Sequence, residues 1–174
     1  IVDSKSGTVL CWENFGWKDV PLMELVEKET GLPTLILNDA NAATLGEYTF
    51  GSAKKYNSAV MLTLGTGVGS GIVIDGKIFV GNKGAGGELG HEVIRFGGEK
   101  CACGRRGCLE RYASASALAR QAQKAMQKNP QSALWQLCGG TASALTGKAV
   151  FDAAKANDVA AVAVLCTYTD YVAA

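Results

Sequence analysis

Between positions 91 and 108 the chain offers one imidazole and three thiols, from His91, Cys101, Cys103 and Cys108. Three cysteines and one histidine are a full tetrahedral set, and soft thiolates with imidazole suit zinc. Four protein ligands leave no open position for a metal-bound water, so the expected metal is structural and holds a loop in place. His91 is the single histidine of the chain, and Gly104 and Gly107 supply the tight backbone that neighbouring thiolates need. Unrelated buried cysteines are one competing reading; a zinc module for nucleic acid is another, with Lys100, Arg105, Arg106 and Arg111 as its basic residues. No aromatic stacking platform accompanies them, which weighs against it.

A second chemistry-bearing stretch is Gly65-Thr66-Gly67-Val68-Gly69-Ser70-Gly71. Its glycines let backbone approach a phosphate closely, and Thr66 and Ser70 add donors. It is not the dinucleotide fingerprint, because Ser70 stands in place of the third glycine and a strand follows. Nor is it a Walker A loop, since no Gly-Lys-Ser/Thr closes it and Thr146-Gly147-Lys148 lacks the upstream glycine. A plain hairpin turn fits the same residues. Asp39 fits two roles, capping the helix that follows it or acting as an acid-base group. Glu88 and Glu110 flank the zinc ligands, so a rigid zinc loop places two carboxylates and an imidazole beside the segment carrying Asp39. Such a set of acceptors suits a polyhydroxylated ligand; the alternative is a pair of solvated surface acids.

The elements that must position these groups read as α/β. Asp19 and Pro21 open a helix with Leu22, Leu25 and Val26 on one face, and Gly31 with Pro33 ends it. Thr34-Leu35-Ile36-Leu37 reads as a buried strand, followed by a short helix through Ala42, Ala43, Leu45 and Tyr48. Asn38 and Asp39 then lie between strand end and helix start, where open α/β sheets bind ligands. Residues 59–64 read as a strand, 65–71 as a tight glycine loop, and 72–74 as a strand turning at Asp75-Gly76 into 78–80. A glycine-rich loop spans 81–90. Residues 111–174 read as mostly helical, with breaks at Asn129-Pro130, Gly139-Gly140, Gly147 and Asn157.

The 174 residues suffice for one core or two small lobes, and the 48% apolar composition is that of a globular protein. With 17 Lys and Arg against 16 Asp and Glu, no net field favours nucleic acid or an anionic membrane, and neither is expected as a partner. No apolar run approaches the ~18 residues of a membrane span. The first residues lack the basic and apolar regions of a secretory signal, so a cytoplasmic location is expected. Cys11, Cys138 and Cys166 stand in apolar surroundings and are assigned no function. A hairpin already in progress at Ile1-Val2-Asp3, and a helical pattern running from Asp158 to Ala174 without a stop signal, make both ends read as cut edges.

Four segments in order, Asn38-Asp39-Ala40-Asn41-Ala42-Ala43, Leu64 to Gly71, Gly87-Glu88-Leu89-Gly90-His91 and Cys101 to Glu110, resemble the ROK family of sugar kinases and repressors, on its glucokinase-like side. The resemblance implies an actin-like, ribonuclease-H-like fold of two lobes, with residues 1–46 in the small lobe and 47–174, including a zinc loop at 88–110, in the large one. It implies ATP-dependent phosphorylation of a hexose, glucose foremost. Asp39 would be the general base, Asn38, Glu88, His91 and Glu110 would contact the sugar, and Gly65, Thr66, Gly67 and Gly69 would lie near the phosphates of Mg-ATP. His91 would also be a zinc ligand with Cys101, Cys103 and Cys108, and the full-length protein would form a homo-oligomer, a dimer. The family's Asp-x-Gly-Gly-Thr phosphate loop and its adenosine-packing Gly-Gly segment are absent from this sequence, so the isolated chain is expected to turn over little. A sugar-responsive repressor and a zinc-stapled sugar-binding module are the alternatives.

Overall fold

The structure, a computed structural model, describes residues 2–12, 15–82 and 84–173. Ile1 and Ala174, expected in the opening strand and the closing helix, lie outside the described residues, as does Lys83 of the glycine-rich loop. The chain forms two compact units, one of Ile1–Leu62 with Ser70–Glu88 and one of Thr63–Gly69 with Leu89–Ala174.

The first unit opens with an antiparallel sheet of β1 (Val2–Asp3), β2 (Thr8–Trp12) and β3 (Trp17–Val20), in the order β1-β2-β3. The Asp3 carboxylate closes the first turn by accepting from the Lys5 N–H at 3.1 Å and the Ser6 hydroxyl at 2.8 Å. Trp12 opposes Trp17 across β2 and β3, their rings 5.7 Å apart and edge to face. Helix α1 (Leu22–Thr30) follows Pro21, whose fixed φ suits a helix start, and ends at Gly31 in the left-handed conformation, as the sequence predicts. The strand expected at Thr34–Leu37 does not form: no described strand pairs with it, and Leu35 is 66% exposed. An apolar run becomes a strand only where a ladder partner accepts its backbone groups.

Helix α2 (Asp39–Phe50) is capped by Asn38, whose side-chain oxygen accepts from the N–H groups of Ala40 and Asn41. A second sheet runs in the order β4 (Ala59–Leu64), β5 (Val68–Ile74) and β6 (Lys77–Ile78). The β5–β6 turn has positive φ at both Asp75 and Gly76, the geometry of a tight two-residue hairpin. Gly71 of β5 lets α2 lie close, since a Cβ there would collide with Thr44. The glycine loop is shorter than the sequence implies, because Val68 to Gly71 are already strand and only residues 65–67 form the turn.

The second unit is mainly helical: α3 (Glu110–Ala113), α4 (Ala115–Gln127), α5 (Leu134–Leu137), α6 (Gly147–Lys155) and α7 (Val159–Ala173). Ser114 and Thr146 cap α4 and α6 with their hydroxyl oxygens, and Asp158 accepts from the Ala161 N–H at 2.9 Å at the start of α7. Gly147, expected as a helix break, is instead the first residue of α6, with Thr146 before it as the cap. Leu118, Met126, Leu134, Val150 and Ala161 form a continuous core sealed from solvent. Tyr168 anchors α7 by donating its hydroxyl to the Ala113 carbonyl at 2.8 Å. Among the described residues no helix is long and apolar enough to cross a membrane.

Candidate functional site: a thiol-imidazole cluster and exposed carboxylates

The second unit brings His91, Cys101, Cys103 and Cys108 together, with one ligand atom from each lying within 4.8 Å of all the others. The Cys101 sulfur is 3.6 Å from His91 Nδ1, and the Cys103 and Cys108 sulfurs are 3.6 Å apart. Zn–S bonds of about 2.3 Å set two tetrahedral thiolates about 3.8 Å apart, so the donor set and its spacing fit zinc. The chain reverses sharply enough to do this because Gly104 and Gly107 take positive φ, and an isolated bridge pairs Lys100 with Arg106. Cys101 and Cys108 are buried while Cys103 is exposed. Burial, then the neighbouring thiols, push the Cys108 thiol up to about 12, whereas the Arg105 backbone N–H is the main influence holding Cys103 low. A cation among the three sulfurs would favour their thiolate forms.

Glu110 ties this cluster to the glycine turn. Its Oε1 lies 4.0 Å from the Cys101 sulfur, while its Oε2 accepts from the Val68 N–H at 3.1 Å. The same oxygen sits against Gly67, where an added Cβ would push the carboxylate aside. The turn is closed by the Gly65 N–H donating to the Gly67 carbonyl, and Gly65 in turn accepts from Ala115 at the start of α4. Gly69, expected beside a phosphate, lies in β5. Neither the Glu110 link to the turn nor the Tyr112 hydroxyl, which accepts from the Glu99 N–H at 2.7 Å, is signalled by residue type.

In the first unit, the two readings of Asp39 separate. Asn38 does the capping, and Asp39 is an exposed carboxylate whose Oδ1 accepts only from the adjacent Ala40 N–H at 2.9 Å. Its second oxygen has no hydrogen-bond partner among the described residues. Glu88 is exposed at the end of a glycine-rich segment that Ser70 pins to β5, its hydroxyl donating to the Gly87 carbonyl. Each unit thus carries part of the predicted set: Asn38, Asp39 and Glu88 in the first, and Gly65, Thr66, Gly67, Gly69, His91 and Glu110 in the second.

Known proteins share the fold. A solved ROK family glucokinase from Streptomyces griseus, in complex with glucose and AMPPNP, superposes with a TM-score of 0.86 at 39% identity, covering 98% of this chain and 55% of that one. A glucokinase from Halalkalibacterium halodurans is 42% identical over 165 residues, covering 94% of this chain and 50% of its own length. A xylose repressor from Caldicellulosiruptor bescii is 46% identical over 118 residues, or 68% of this chain and 30% of the repressor. The fold is therefore the α/β, actin-like and ribonuclease-H-like fold of sugar kinases, of which this chain spans part. The ROK family pattern matches residues 1–174, and the chain belongs to the ROK family. It spans about half the length of the curated glucokinases it matches.

Proposed function

We propose that this chain is the sugar-side portion of an ATP-dependent hexose kinase, glucose being the leading substrate. Residues 1–46 belong to its small lobe and 47–174 to its large one. The observation that carries the reading is Asp39: with capping assigned to Asn38, an exposed carboxylate with a spare oxygen is left at the start of α2. A carboxylate oxygen left without a partner accepts the proton of the attacking sugar hydroxyl. Phosphoryl transfer has a loose transition state, so the remaining residues need only position the hydroxyl and stabilise charge.

In this reading Asn38, Glu88, His91 and Glu110 hold the sugar by hydrogen bonds. Analogues lacking the matching hydroxyls are rejected because the carboxylates would be left unpaired. His91 presents Nδ1 to the thiols, which leaves Nε2 for a sugar oxygen. Gly65, Thr66, Gly67 and Gly69 lie near the phosphates of Mg-ATP, whose metal neutralises phosphate charge when bound. Zinc held by His91, Cys101, Cys103 and Cys108 cross-links the loop and thereby fixes the orientation of His91 and Glu110. The full-length protein is proposed to be a cytoplasmic homodimer, and this chain alone to turn over little, because its sequence contains no Asp-x-Gly-Gly-Thr phosphate loop.

The likeness to a xylose repressor favours one second reading, a sugar-responsive repressor that keeps the zinc site. A hexose panel with ATP, run on the full-length protein and on this chain, separates the two, with zinc content measured on both. Phosphorylation by the full-length protein that disappears in Asp39→Ala, at about one zinc per chain, supports the kinase. A zinc-loaded full-length protein that phosphorylates no hexose but binds DNA in a sugar-dependent way establishes the repressor. Cys108→Ser is expected to lose the zinc, and full zinc retention in that variant refutes the ligand set.

A further inference from the structure

Residues 92–124 carry seven Lys or Arg against three Glu, although the whole chain is balanced at 17 to 16. Three of those cations line a cavity of about 390 Å³ walled by the loop at 95–99, α3, α4 and α7. Its charged lining is Arg95, Arg111 and Lys124 with a single acid, Glu99, so two positive charges are unmatched.

Glu99 is already shared out. Its Oε2 faces Arg111 at 3.6 Å and Arg120 at 3.0 Å, and its Oε1 faces Lys124 at 3.4 Å. The Arg95 side chain has no polar partner among the described residues. Behind the cations the wall is apolar, with Ala163 and Val164 of α7 and the Tyr112 and Tyr171 rings, whose centroids are 4.8 Å apart. Cations on a low-dielectric wall attract an anion more strongly than the same cations on an open surface. Arginine forks and an ammonium are the usual partners of the oxygens of a tetrahedral oxyanion. None of the lining residues is used in the proposed sugar, phosphate or zinc sites.

We propose that this cavity is a binding site for a small dianion of the phosphate class, held by Arg95, Arg111 and Lys124. The site stands independently of the kinase reading, because its charge imbalance and cavity exist in a kinase or a repressor alike.

Calorimetric titration of the full zinc-loaded chain with sodium phosphate and with a hexose 6-phosphate, at constant ionic strength set with sodium chloride, tests it. Saturable binding is expected, weakened about tenfold in Lys124→Gln and in Arg95→Gln. Both side chains are exposed, so unchanged melting and zinc content are expected to show that the variants fold. Lys148→Gln serves as the control, since that ammonium pairs with Asp152 outside the cavity. Tighter binding of the sugar phosphate assigns the site to a phosphate monoester, and equal affinity assigns it to free phosphate. Binding that does not saturate by about 10 mM, or that is the same in all variants, overturns the proposal.

Discussion

The helical part of the second unit and the α1–α2 stretch of the first are both rich in apolar residues, yet they use them differently. Across α4 to α7, Met126, Leu134, Val150 and Ala161 are fully buried. In α1 no residue is buried, and Leu35 and Phe50 are 66% and 85% exposed. Helices joined by short connections bury one another's apolar stripes from within the same stretch of chain. Extended apolar segments depend on a ladder partner brought from elsewhere. The difference also divides the expected effects: substitutions in the helical core cost stability, whereas the roles proposed for the thinly tied Asp39 and Glu88 predict a cost in function.

The largest expected effect is at Asp39. Asp39→Ala in the full-length protein should lower phosphorylation by about 10²–10⁴-fold, the usual worth of a general base. The melting temperature should hardly move, because the carboxylate makes one local hydrogen bond. Kinetic assay beside thermal melting checks both, and a large loss of melting temperature would dissolve the contrast between the two regions.

A direct comparison comes next. Leu134→Ala, which empties a fully buried site, should destabilise the chain by about 2–5 kcal/mol in urea unfolding. Leu35→Ala, a similar deletion on an exposed segment, should stay within about 0.5 kcal/mol. Similar costs for the two would mean that Leu35 is covered in solution.

The smallest effect is a pH dependence inside the helical region. Burial raises the pKa of Asp158, but the N–H groups of Ala161 and Ala133 and the Ser132 hydroxyl outweigh it and hold the carboxyl below the usual range. A pKa lower in the folded than in the unfolded state stabilises fully above the ordinary aspartate value of about 3.9. That contribution is lost as pH falls through the folded value. The stability gap between wild type and Asp158→Asn should therefore shrink below about pH 4, as read by urea midpoints across pH. A constant gap would show that Asp158 acts through geometry alone.

Residue types and spacing by themselves determined the thiol-imidazole set, the helix stops at Gly31 and Gly139-Gly140, the Asp75-Gly76 hairpin and the helical character of the last third. Each depends on atoms close in sequence, where backbone φ and side-chain donors act without help. The tertiary structure alone decided that Thr34–Leu37 stays unpaired, that Asn38 rather than Asp39 caps α2, and that Val68 to Gly71 are strand. It alone set Glu110 against the glycine turn, 42 residues away from Val68, and gathered three cations onto Glu99. Those outcomes depend on which distant groups meet and what they exclude from water, and no local pattern encodes that.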